Sequence, residues 1–102
     1  MNPQTQTPPK IAPVPVTEEA LEPLVQVIIH NDDLTPMDFV VHVLKSIFFL
    51  IPPDAVAVMY TAHTSGKAYV QTLPKTEAQI RINKAHFAAG MEGYPLHFSL
   101  EE

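Results

Sequence analysis

The chain has 102 residues, 46% of them apolar and 17% charged, which is one small domain with enough apolar material for a core. Six Lys and Arg against eleven Asp and Glu give a formal net charge of -5, which excludes a nucleic-acid binder that neutralises phosphates with a basic patch. The lack of cysteine excludes disulfide scaffolds, thiolate metal sites, iron–sulfur clusters and cysteine nucleophiles. No apolar run approaches the roughly 20 residues of a membrane span. The N-terminus has neither a charged n-region nor an apolar h-region, so a cytoplasmic protein that binds no membrane is expected.

Five of the eleven prolines fall in the first 15 residues, whereas every aromatic residue lies between Phe39 and Phe98. Residues 1–22 cannot bury enough apolar surface to offset their ordering entropy. They are expected to form a disordered, Pro-rich extension, with the folded domain at 23–102. The extension is either a solvated tail or a segment that a partner grips.

Val25–His30 is short, β-branched and bounded by Asn31-Asp32-Asp33, as a strand is. A helix follows, with Thr35 as N-cap, Pro36 at its first position and Asp38 in its first turn. Its apolar residues Met37, Val40, Val41, Leu44, Ile47 and Phe48 recur at helical spacing. Pro53 suits the first turn of a second helix through Val56, Met59, Tyr60 and His63, with Gly66 as its left-handed stop. Ala68–Leu73 alternates as a strand that Pro74 ends. Thr76 with Gln79 predicts a capping box for a third helix, which Gly90 closes. Leu96–Leu100 alternates as the last strand. The expected fold is α+β: a two-layer βααβαβ domain whose three-stranded antiparallel sheet is covered by three helices.

The residues that carry enzymatic chemistry in recurring motifs are missing: there is no nucleophile elbow, P-loop, dinucleotide fingerprint or zinc-protease helix. No enzyme and no cofactor are expected. His30 and Asp32, with His63 as a third, are a possible metal-ligand set, but His30 and Asp32 are equally ordinary surface residues of a strand-to-turn segment, and no metal is expected. His42 and His86 read as exposed helix positions, and His97 as the outer face of a strand. Asn31-Asp32-Asp33-x-Thr35-Pro36-Met37 is either a turn before a capped helix or a set of acceptors at a rim. Met37 and Val40 face inward, and Met59 and His63 share a face of the second helix. These residues are either core or the lining of a small pocket.

The run Asn31-Asp32-Asp33-Leu34-Thr35-Pro36-Met37-Asp38-Phe39-Val40 closely resembles the signature of the ClpS adaptor family. The resemblance continues through Met59-x-x-Ala62-His63, Gly66-Lys67 and Pro95-Leu96, and spans roughly residues 24–102. It implies a module without catalysis that binds the free N-terminal Leu, Phe, Tyr or Trp of a substrate and delivers it to a Clp ATPase–protease. By position, Asn31, Asp33 and His63 would hold the α-ammonium group, with Asp32 in support through water or its field. Met37, Val40, Met59, Ala62 and Leu96 would line the side-chain pocket, with Thr35 at its edge. The implied partner is an AAA+ unfoldase of the ClpA or ClpC kind with ClpP, docked on helix three near Thr76 and Arg81. Thr76 stands where many relatives are acidic, and Ala62 where a Val is common. A monomer is the default. The alternative from another class is an interaction domain of ribosomal-stalk-like fold, which lacks the Asn-Asp-Asp-x-Thr-Pro-Met run.

Overall fold

The β-branched run around Val27 forms β1 (Leu24–His30), the middle strand of a three-stranded sheet, in a computed structural model that describes residues 21–102. Residues 1–20 of the expected extension lie outside the described residues. β2 (Lys67–Pro74) and β3 (His97–Glu101) flank β1, both antiparallel to it. Three helices, α1 (Met37–Ser46), α2 (Pro52–Ser65) and α3 (Lys75–Met91), pack against the sheet around one core. The element order and the two-layer α+β architecture match the expectation.

Alternation decides which strand residues meet the helices. Val25, Val27 and Ile29 of β1, Ala68 and Val70 of β2 and Phe98 of β3 are buried, as are Val40, Val43 and Leu44 of α1 and Phe48 just after it. The Phe48 and Phe98 rings stack with centroids 4.8 Å apart. α3 meets the sheet through Ala78, Ile82, Ala85 and Ala89, a row at helical spacing whose small side chains permit close approach.

Two irregularities shape the domain. The register of β2 skips Val70 between Val27↔Gln71 and Ile28↔Tyr69, a bulge. Gln71 thereby joins two helical segments: its Nε2 donates to the Phe48 carbonyl at 3.0 Å and its Oε1 accepts from Arg81 at 3.1 Å. The second lies after α1, where Phe49 takes the left-handed φ of 58° and Leu50 N–H returns to the Leu44 carbonyl at 3.0 Å. Glycine usually fills such a C-terminal position. Here the Arg81 guanidinium lies over the Phe49 ring, 4.9 Å from its centroid.

Several predicted helix ends are corrected. Pro36 is the N-cap of α1, not its first residue, and the helix starts at Met37. Thr35 therefore stands one residue before the cap, where its N–H and hydroxyl both donate to the Asp32 carboxylate, at 2.6 and 2.9 Å. The Thr76–Gln79 box does not form either. α3 starts at Lys75, and Thr76 donates its N–H and hydroxyl to Glu22 at 2.7 and 2.6 Å. Those two bonds, the hydroxyl's first, hold the Glu22 carboxyl below its usual 4.5. A residue 54 positions away thus caps the helix, with its negative charge at the favourable end. Glu22 and Pro23, whose carbonyl accepts Lys75 N–H at 3.2 Å, both touch α3, so contact with the domain begins before the expected boundary. Gly90 does not close α3, which runs to Met91. Gly93 takes the left-handed φ of 75°, and Tyr94 N–H returns to the Ala89 carbonyl at 2.9 Å.

Candidate functional site

Gly66 joins the site's two halves. It ends α2 with φ 91°, where an L side chain would be strained, and its N–H returns to the Ala62 carbonyl at 2.8 Å. Its own carbonyl accepts Asn31 N–H at 2.9 Å, which ties the end of β1 to the end of α2. His63, one turn before Gly66, therefore stands beside the loop 31–35 that leads into α1.

Within that loop the two carboxylates have different tasks. Asp32 accepts Leu34 N–H at 2.9 Å as well as the two Thr35 bonds, an Asx turn that fixes the entry to α1. Burial works to raise its carboxyl, but the bonds from Thr35 and Leu34 outweigh it and hold the group below its usual 3.8. Asp33 enters none of the hydrogen bonds or ion pairs among the described residues, nor do the side chains of Asn31 and His63. The loop's own structure uses one carboxylate and leaves the other at the surface.

These groups surround the mouth of an open cavity of about 130 Å³. Val40 of α1, Met59 and Ala62 of α2, and Leu96 ahead of β3 supply apolar wall, with Ile29 of β1. Asn31, Asp32, Asp33, Thr35 and His63 line it as well, so all ten residues singled out as one site border one cavity. Met37 borders it but is 48% exposed, a residue of the mouth and not of the interior as expected from its helical phase. An apolar cavity of roughly 150 Å³ accommodates benzene. This one, of similar size and open at its mouth, is on the scale of one large apolar side chain.

Ile29 and His30 also border the cavity and were not among the expected site residues, although Ile29 sits beside Asn31 at the inward end of the strand alternation. His30 is held by a 2.7 Å bond between its Nε2 and Ser99 Oγ. Among the described residues no group of three His, Asp or Glu side chains is placed to hold a metal ion, so the His30, Asp32 and His63 alternative has no such geometry. His42 is exposed on α1, as expected. His86 is not the exposed residue anticipated: it is half-buried, and its Nε2 accepts the Phe98 N–H at 3.0 Å. Thr76 and Arg81 lie on α3 away from the cavity lining. Thr76 is engaged by Glu22. Arg81, with its side chain 18% exposed, is bound to Glu77 at 2.9 Å as well as to Gln71.

The fold and its cavity define a small α+β binding module. A family profile described as "ATP-dependent Clp protease adaptor protein ClpS" matches residues 20–99. ClpS 2 of Mesorhizobium japonicum is 39% identical over 99 residues, covering 97% of this chain and 96% of its own. ClpS of Nitratidesulfovibrio vulgaris is 35% identical over 88 residues, covering 85% of this chain and 88% of its own. Among solved structures, Agrobacterium tumefaciens ClpS2 bound to L-phenylalaninamide superposes with a TM-score of 0.74 at 36% identity, covering 76% of this chain and 94% of that one. The chain belongs to the ClpS family, the adaptor proteins of the ATP-dependent Clp protease. The stalk-like alternative is set aside. No helix among the described residues is long and apolar enough to cross a membrane.

Proposed function

We propose that the chain selects substrates by a free N-terminal Leu, Phe, Tyr or Trp and delivers them to an AAA+ unfoldase of the ClpA or ClpC kind working with ClpP. The observation that carries this reading is the pairing of an apolar cavity with three unengaged polar side chains at its mouth. An α-ammonium has three donors and a positive charge. Asp33 supplies the opposite charge, the Asn31 carbonyl a neutral acceptor, and the His63 imidazole a third acceptor while it is unprotonated. The first side chain then enters the cavity, where burial contributes about 25 cal/mol per Å². Met37 and Met59 are unbranched and adapt to either a ring or a leucine. The Agrobacterium tumefaciens relative, solved with a phenylalanine amide, supports the same mode here. On the delivery side, Thr76 and Arg81 act as parts of bonded groups, Glu22–Thr76 and Glu77–Arg81–Phe49.

Fluorescence anisotropy with three labelled peptides tests the recognition step. One begins with Phe, one is the same peptide N-acetylated, and one begins with Ser. Binding of the free Phe peptide alone is expected; equal binding of all three, or of none, rejects the reading.

Ala62, 3% exposed in the cavity wall, sets a finer preference. An alanine there leaves room that a branched residue would fill, which favours Trp and Tyr over Leu. Ala62→Val is expected to shift the affinity ratio towards Leu by about 1–3 kcal/mol. Competition among peptides differing only in their first residue measures the ratio, and an unchanged or reversed ratio rejects the assignment.

A further inference from the structure

Leu96 lies in a connection, not in a regular element, so something must hold this piece of cavity wall in place. Two attachments bracket it, and α3 supplies an acceptor for each. On the N-terminal side Tyr94 N–H donates to the Ala89 carbonyl at 2.9 Å, and its ring meets Phe39 edge-on at 4.9 Å. On the C-terminal side the Phe98 amide donates to His86 Nε2 at 3.0 Å. An imidazole nitrogen accepts a hydrogen bond only while it carries no proton.

We infer that His86 is a positioning residue of the recognition cavity: its neutral imidazole fastens the Phe98 amide to α3 and thereby keeps Leu96 in the cavity wall. The inference rests on the reading that the cavity receives a substrate's first side chain. His86 does not touch the cavity itself; it acts through β3.

The surroundings favour the neutral ring. Burial, and then the field of His97, depress the His86 pKa below its usual 6.5. The two rings stack with centroids 5.5 Å apart and planes 12° from parallel, and His97 in turn faces His30 of β1 at 5.1 Å. Lys67 of β2 stands opposite His30 in register, and it pairs with Glu101 of β3 at 3.8 Å. None of the three histidines enters an ion pair among the described residues. On α3 itself the residues one turn away, Ile82, Asn83, Ala89 and Gly90, are uncharged. No carboxylate partner therefore stabilises a proton on His86. Because the folded pKa is the lower one, the unfolded chain takes up the proton first as pH falls below 6.5. The stability contributed by the neutral ring is full above that value and is lost as pH falls through the folded pKa.

The test uses the full chain as wild type, H86Q and H86L. Phe98 amide protection is followed by NMR exchange, and affinity for a peptide beginning with Phe by anisotropy, from about pH 8 to about pH 5.5. In the wild type, protection and affinity are expected to fall together on acidification. H86Q places a non-titrating carbonyl where Nε2 stands, so it should keep Phe98 protected throughout and lose less affinity in acid than the wild type. H86L should leave the amide unprotected at every pH and bind about 3- to 10-fold more weakly. The role is overturned if Phe98 stays protected in H86L, or if H86L exposes the amide yet binds as the wild type does. Should H86L not fold, the same acid loss in H86Q as in the wild type overturns it. Failure of the wild-type chain to bind the peptide at any pH rejects the recognition reading and this role together. Binding by the wild type with no effect of either variant rejects this role alone.

Discussion

Replacing Asp33 or His63 by alanine is expected to weaken binding of a Phe-initiated peptide by about 1–3 kcal/mol or more, with little change in thermal stability. The split between binding and stability follows from the loop. Asp33 and His63 are exposed, and neither side chain enters a hydrogen bond or ion pair among the described residues, so their removal leaves the fold intact. A bound ammonium would lose its opposite charge in one case and an acceptor in the other. Asp32→Ala provides the contrast. It removes the acceptor for Leu34 N–H and for both Thr35 donors, so it should lower both stability and affinity. Titration calorimetry beside thermal denaturation separates the three variants. If Asp33→Ala and His63→Ala both bind the peptide as the wild type does, the ammonium site lies elsewhere.

Phe48→Ala carries the largest expected effect on stability, a loss of about 3–5 kcal/mol. The ring is 0% exposed and stacks on Phe98 at 4.8 Å, so truncation leaves a cavity at the junction of helix and sheet. A small domain has a total stability of only about 5–15 kcal/mol, so this variant should unfold at a markedly lower denaturant concentration. Phe98 supports β3, and through it the segment bearing Leu96, so peptide affinity should fall as well. A shift in the urea midpoint corresponding to less than about 1 kcal/mol would contradict this account of the core.

The order of elements was legible because each has its own local period: the alternation of Ala68–Leu73, the helical spacing from Met37 to Phe48, the Gly66 stop. The cavity-lining set was legible through a resemblance, and Met59 with His63 also through their helical spacing. What could not be read locally depends on atoms far apart in sequence. Thr76 looked like half of a capping box, but its partner is Glu22, 54 residues earlier. Thr35 looked like an N-cap, yet the helix starts one residue later and Thr35 instead donates to Asp32. His86 looked exposed on its helix, and only the fold brings the Phe98 amide to its ring. The bulge at Val70 has no sequence mark, because a valine there suits a regular strand equally well.

The central place of β1 has a mechanical consequence. The chain that precedes Leu24 feeds directly into the one strand bonded on both sides, to β2 and to β3. In antiparallel pairs the hydrogen bonds run perpendicular to the strands. Traction on that leading segment along the strand direction therefore loads both ladders in shear, many bonds at once, whereas peeling an edge strand such as β3 would break them one after another. Glu22 and Pro23, held to α3 through Thr76 and Lys75, must yield before the load reaches β1. A machine that pulled on this end would load both ladders of β1 at once.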